Sequence, residues 1–241
     1  MGFSLNEYSA RTKEFTENYY TSRFGIELSK IGHYVYCAAR KLWHKFFYKR
    51  LVDVSDDVNP LFQVPQELRQ EDMEGAKLYE SRKRMILSLS ENLVWAEIGV
   101  WEGEFSAHIL EKVRPRELHL FDLDFARVDA AGHVKEAGAV KYHKGDSSKM
   151  LSGFPDEYFD VIYIDGDHAL IGTCRDAAAA LKKIKPTGTL IFNDYIVFSH
   201  IELYPYGTVP VVNSICRDFG WKISGFALHK KMYCDVMLQR K

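Results

Sequence analysis

Four cysteines in 241 residues, Cys37, Cys174, Cys216 and Cys234, stand far apart with no CxxC spacing. That scatter argues against a zinc site and against a disulfide framework, and it suits a reducing compartment. Long hydrophobic runs are also missing: none approaches the ~20 apolar residues that a membrane-spanning helix needs. The opening MGFSLNEYSA has no basic segment followed by an apolar one, so no secretory signal is expected. Asn6 stands where N-myristoylation requires Ser or Thr, and the expected address is cytoplasmic. An excess of charge is absent too. Lys plus Arg (32) almost cancels Asp plus Glu (33), which removes the electrostatic case for nucleic acid as a partner. There is no internal repeat and no low-complexity tract. With 46% hydrophobic and 27% charged residues, the chain reads as globular and long enough for one large domain plus an appendage.

Residues 1–25 show no clear period. From 26 to 51, Ile31, Val35, Ala38, Leu42 and Phe46 recur at steps of three and four, the spacing of one helix face. Tyr36, Trp43 and Phe47 widen that stripe, while Lys30, Arg40, Lys41 and His44 occupy the other side. A basic amphipathic helix can lie on anionic lipid. The width of the stripe predicts instead that Leu42 and Phe46 are buried on the chain's own domain or on a second subunit, which leaves a homo-oligomer open. Residues 53–65, carrying Asp53, Asp56, Asp57, Pro60 and Pro65, read as an irregular connection. A second helix is expected from about 66 to 89.

From residue 93 the grammar changes. Short β-branched or aromatic runs (93–98, 117–121, 140–143, 159–164, 189–192) alternate with stretches of helical length and period. Such alternation means a parallel sheet covered on both faces. The last two runs, 222–227 and 232–238, are joined by four residues, and a link that short allows only an antiparallel pair. The expected fold is α/β: a doubly wound, mostly parallel seven-stranded sheet with an antiparallel C-terminal edge hairpin, spanning 76–241, preceded by a helical extension over 1–75.

Four motifs fall at the ends of these runs. Glu97-Ile98-Gly99-Val100-Trp101-Glu102-Gly103 follows a strand and opens a helix; Gly99 suits a tight turn and Gly103 close backbone approach to a ligand. Trp101 sits where the nicotinamide fingerprint GxGxxG has its second glycine, so a nicotinamide-dependent oxidoreductase is the weaker reading. Asp122 ends the next strand, where a carboxylate can accept both hydroxyls of a ribose; its neighbour Asp124 suits a helix cap better. Gly145-Asp146-Ser147 follows the third strand, and Asp146 reads equally as a ligand contact and as a cap. Asp165-Gly166-Asp167-His168 and Asn193-Asp194-Tyr195 end two further strands. If those strands are neighbours, about 4.8 Å apart, oxygens of Asp165, Asn193 and Asp194 converge on one hard cation such as Mg²⁺. The aromatics after them, Tyr195, Phe198, His200, Tyr204 and Tyr206, suit the wall of an acceptor pocket.

In combination these segments, over roughly residues 76–238, resemble the class I S-adenosylmethionine-dependent methyltransferases. The closest look is to a branch that O-methylates small molecules, including sugars on macrolide and aminocoumarin antibiotics. The resemblance implies S-adenosylmethionine as cofactor, with Glu97, Gly99 and Gly103 at its methionine part, Asp122 at the ribose, and Asp146 and Ser147 at the adenine. It implies Mg²⁺ on Asp165, Asn193 and Asp194, although Asn193 replaces an acid that many members carry. It implies a general base at Asp167 or His168 and a small-molecule or sugar acceptor. Between the two bases the residues favour Asp167, because the head of a helix disfavours the imidazolium that His168 would form.

Overall fold

The structure is a computed structural model that describes residues 65–241 apart from 135–137, 200 and 203. The helix expected over 26–51, with Leu42 and Phe46, lies outside the described residues. Within them the chain runs β1 (Lys77–Tyr79), α1 (Arg82–Ile86), β2 (Val94–Ile98), α2 (Glu104–His108), β3 (Glu117–Asp122), α3 (Ala126–Ala131), β4 (Val140–Lys144), α4 (Ser147–Ser152), β5 (Phe159–Ile164), α5 (Leu170–Lys183), β6 (Ile184–Phe192), a small β7 (Phe198–Ser199) and β8 (Tyr204–Pro205) ribbon, α6 (Thr208–Asp218), β9 (Trp221–Ala227) and β10 (Asp235–Arg240).

The strand order is β4-β3-β2-β5-β6-β10-β9-β1. Pairing is parallel from β4 through β6 and antiparallel where β10 enters between β6 and β9. Strands buried on both faces have no solvent side on which to place polar residues, and all five residues of β2 are buried. Alternation sends Val94, Ala96 and Ile98 into one core with Ile162, Ile164, Ala177, Ala180 and Val212. Trp95 enters the other, with Leu118, Leu120, Tyr163, Met85 and Phe105. Each Val, Leu, Ile, Phe or Met side chain among them contributes roughly 1.5–3 kcal/mol on burial. Glu97 is the one ionisable residue in β2, and it is 2% exposed.

Two expectations are corrected at the N-terminal end of the described chain. The helix expected from 66 to 89 survives only as α1, capped by the Ser81 hydroxyl, which accepts from the Arg84 N–H. Gly75, at φ +77°, breaks the period. Lys77–Tyr79 then pairs parallel with β9, because an open strand edge overrides weak helix propensity. The sheet therefore has eight strands rather than seven, and β1, not the C-terminal hairpin, forms that edge. The preceding segment is hydrogen bonded to α6, where the Asn213 amide donates to the Gln66 carbonyl at 2.6 Å.

β2 and β5 are neighbours, with β3 on one side and β6 on the other. The order reverses between them, and open α/β sheets bind ligands outside the carboxyl ends of strands at such a switch point.

Candidate active site

A cavity of about 800 Å³ opens at this point. Of the residues singled out from the sequence, Glu97, Gly99, Asp122, Asp146, Ser147, Asp165, Asp167 and His168 line it, whereas Gly103, Asn193 and Asp194 do not.

The turn after β2 explains the difference between the two glycines. Gly99 has φ +81°, and a Cβ there would run into the carbonyl oxygen of Asp165. Its bare α-carbon lets the ends of β2 and β5 meet under the cavity. Gly103 also has positive φ, but a Cβ there would meet Val134 and Val128. Its close approach is to the chain around α3 rather than to a ligand, which corrects the expectation.

Asp122 fastens this turn to the end of β3. Its Oδ2 accepts from the Val100 N–H at 2.8 Å and the Trp101 N–H at 3.3 Å, and its Oδ1 from the Asp124 N–H at 3.2 Å. Trp101 is held at the mouth by the Arg127 guanidinium, 3.7 Å above its ring. Asp124 accepts from the Ala126 N–H in a local turn before α3 and pairs with Lys144; the cap position itself is Phe125. Asp146 is the cap of α4. It accepts from the Ser148 hydroxyl and the Lys149 N–H at the start of α4, and it also lines the cavity. The Ser147 hydroxyl donates to Asp176.

Glu97 stands deeper. Burial pushes its carboxyl up to about 8, against the Ser106 hydroxyl that donates to it at 2.6 Å.

At the other end of the cavity His168 sits between two carboxylates. Its Nε2 lies 3.5 Å from Asp165 Oδ1 and 3.7 Å from Asp194 Oδ2, and its ring stacks on Tyr206 with centroids 4.5 Å apart. Burial lowers the imidazole's affinity for a proton, but the bond to Asp165 and the charges of Asp165 and Asp194 outweigh it, so the net shift is upward. Burial, then Asp165, raises Asp194 to about 6. Asp167 accepts from the Ala169 N–H at 2.9 Å and packs against Gly172 at the start of α5. The two acids that face His168 favour its imidazolium, against the helix terminus that disfavours it.

The expected metal ligands do not fit a cation. Asp165 Oδ2 accepts from Arg82 Nη1 at 3.3 Å, while Asp165 Oδ1 and Asp194 Oδ2 face His168. The Asn193 amide is turned away, donating to the Tyr163 hydroxyl at 3.2 Å and to Asp235 at 3.3 Å. β5 and β6 are adjacent as expected, but a guanidinium, an imidazole and an inner network occupy these groups. Among the described residues, no group of three or more His, Cys, Asp or Glu side chains is arranged to hold a metal ion.

Residues 96–195 match a family model described as a methyltransferase domain. The fold of this chain is similar to that of a chain described as an S-adenosylmethionine-dependent methyltransferase from Listeria monocytogenes, with TM-score 0.51 and 10% identity over 66% of this chain and 95% of that one. It is also similar to an O-methyltransferase family protein from Burkholderia thailandensis, with TM-score 0.51 and 14% identity over 65% of this chain and 52% of that one. At such identities the likeness is one of fold, the class I methyltransferase fold. No curated protein sequence matches the chain.

Three residues in and beneath the cavity escaped the sequence reading. Arg82 reaches the cavity from α1, and Tyr163 donates to Asp235 at 2.7 Å beneath it. Burial pushes Asp235 up to about 7. An acid inside the apolar run Cys234-Asp235-Val236-Met237 was a usable signal; nothing separated Arg82 from the adjacent Lys83 and Arg84. Of the expected acceptor wall, Tyr206 touches His168, and its hydroxyl donates to Glu202. The Tyr195 hydroxyl donates to Asn213, and Phe198 is exposed. His200 and the side chain of Tyr204 lie outside the described residues.

Proposed function

We propose that this protein transfers the methyl group of S-adenosylmethionine to a hydroxyl oxygen of a small molecule or sugar. The charge of the cavity carries the reading. Nine carboxyl side chains and two arginines line it. Such a field attracts a ligand bearing a sulfonium and an ammonium, and it repels the pyrophosphate of a nicotinamide dinucleotide. Glu97 is the partner for the ammonium, Asp122 for the ribose hydroxyls, and Asp146 with Ser147 for the adenine side.

S-adenosylmethionine supplies a methyl group on a leaving group that is already activated, so the domain's task is to hold the acceptor in line and take its proton. His168 is the base of this reading. It lies in the cavity wall, and Asp165 and Asp194 stabilise the imidazolium formed when it accepts the hydroxyl proton. Asp167 positions the start of α5. No step requires a metal. Residues 76–241 form the catalytic unit of this proposal and residues 1–75 its extension, working in the cytoplasm; Cys174, Cys216 and Cys234 are free thiols.

Calorimetry with S-adenosylmethionine and with NAD tests the cofactor, and a screen of hydroxyl compounds with methyl-labelled cofactor tests the acceptor. Tight NAD binding without a response to S-adenosylmethionine would overturn the proposal.

A further inference from the structure

We infer that Arg82 anchors the carboxylate of the amino-acid end of S-adenosylmethionine and forms, with Glu97, a two-point clamp for a zwitterion; the inference rests on the methyltransferase reading. Arg82 enters the cavity from the first residue of α1. Its guanidinium lies over the Phe105 ring, 4.5 Å from the centroid. Nη1 donates to the Tyr163 hydroxyl at 2.9 Å and to Asp165 at 3.3 Å. Nε and Nη2 make no hydrogen bond among the described residues, and the side chain is 35% exposed although Phe105 and Tyr163 beside it are buried. A planar fork is thus held on one side by protein and left open on the other, toward the cavity. That arrangement suits a carboxylate, which takes two parallel N–H bonds from such a fork.

The position suits it as well. Arg82 and Glu97 feel each other's charge: the guanidinium favours the ionised form of Glu97 against its burial. The other lining cation, Arg175, stands on α5 beside Asp176, the partner of Ser147 and so at the adenine end. In a cavity of this acidity a ligand carboxylate is repelled unless a cation receives it. The amino-acid end needs one cation and one anion within reach of each other, and Arg82 with Glu97 is that pair.

Decarboxylated S-adenosylmethionine separates this role from mere support of the site. It has lost the carboxylate and gained net positive charge, so the acidic field alone makes it the tighter ligand. With Arg82 as anchor the order inverts: calorimetry on the full chain shows the parent cofactor bound at least tenfold more tightly. Arg82→Gln weakens S-adenosylmethionine roughly 10- to 100-fold and changes the decarboxylated analogue less than threefold; Arg82→Lys recovers part of the difference. Equal loss for both ligands would make Arg82 a support for Asp165 and Tyr163 and overturn the inference. Should Arg82→Gln not fold, wild-type protein decides: equal or tighter binding of the decarboxylated analogue overturns the inference while leaving the methyltransferase reading intact. Failure of the wild type to bind either compound overturns both.

Discussion

The two ends of the cavity are held by different means. At the β3–β4 end the acids are fastened to nearby backbone: Asp122 to Asp124 and to the turn after β2, Asp146 to Ser148 and Lys149. At the β5–β6 end they are held by side chains from remote parts of the sequence. Arg82 bonds Asp165, Tyr163 bonds Asp235, and Asp194 faces His168. Groups fixed by caps and turns make a preformed cradle whose geometry follows the local fold. Groups fixed by one another form a coupled electrostatic unit, in which removing one member leaves the others buried and unpaired. On the proposed function the first kind of end suits the ribose and adenine of the cofactor, and the second suits proton transfer and the charged amino-acid end.

The sharpest test of this division is His168→Ala, which should lower turnover by roughly 10²- to 10⁴-fold while S-adenosylmethionine affinity stays within about threefold. Because the imidazole holds its proton above its ordinary value, wild-type turnover should climb with pH through and above 6.5 as the base form appears. If Asp167→Asn abolished turnover and His168→Ala did not, the coupled unit would be misassigned. At the cradle, Asp122→Ala should weaken S-adenosylmethionine by about 100-fold, since it loses the tie to Val100 and Trp101 and, on the proposed role, the acceptors for the ribose. A normal affinity measured by calorimetry would remove Asp122 from the binding role.

Tyr163→Phe should cost about 1–3 kcal/mol in urea unfolding, because Asp235 and Arg82 each lose a buried partner. A change near zero would show that the two ends do not differ in coupling.

Glu97 adds a titration. In the free protein it holds a proton up to about pH 8. An ammonium favours the carboxylate, so binding expels that proton. Affinity for S-adenosylmethionine should therefore increase by up to about tenfold per pH unit between 6 and 8 and level off above. Glu97→Gln should bind weakly with a flatter profile, and an unchanged slope in that variant would assign the titration elsewhere. The smallest expected effect is none: turnover in chelator should equal turnover in Mg²⁺, because the oxygens of Asp165 and Asp194 face Arg82 and His168. Loss of activity in chelator, restored by Mg²⁺, would show that the reactive end rearranges around a cation.

What the sequence by itself determined follows the same line. Apolar runs alternating with helical periods specified a parallel sheet, since a strand buried on both faces has no room for polar residues. A four-residue link specified the antiparallel pair, and the glycine turn and the cap at Asp146 were legible because their partners lie close by or at adjoining strand ends. Only the tertiary structure decided the rest. The open edge of β9 drew Lys77–Tyr79 out of an expected helix, and Gly103 packs against Val128 and Val134 rather than lining the cavity. Asn193 turned to Tyr163 and Asp235, and His168 rather than Asp167 came to lie between two acids. These outcomes depend on contacts between residues far apart in the sequence, as Lys77 and Gly225 are. A side chain's charge state and orientation are set by whichever remote groups share its low-dielectric surroundings, and local sequence pattern does not encode them.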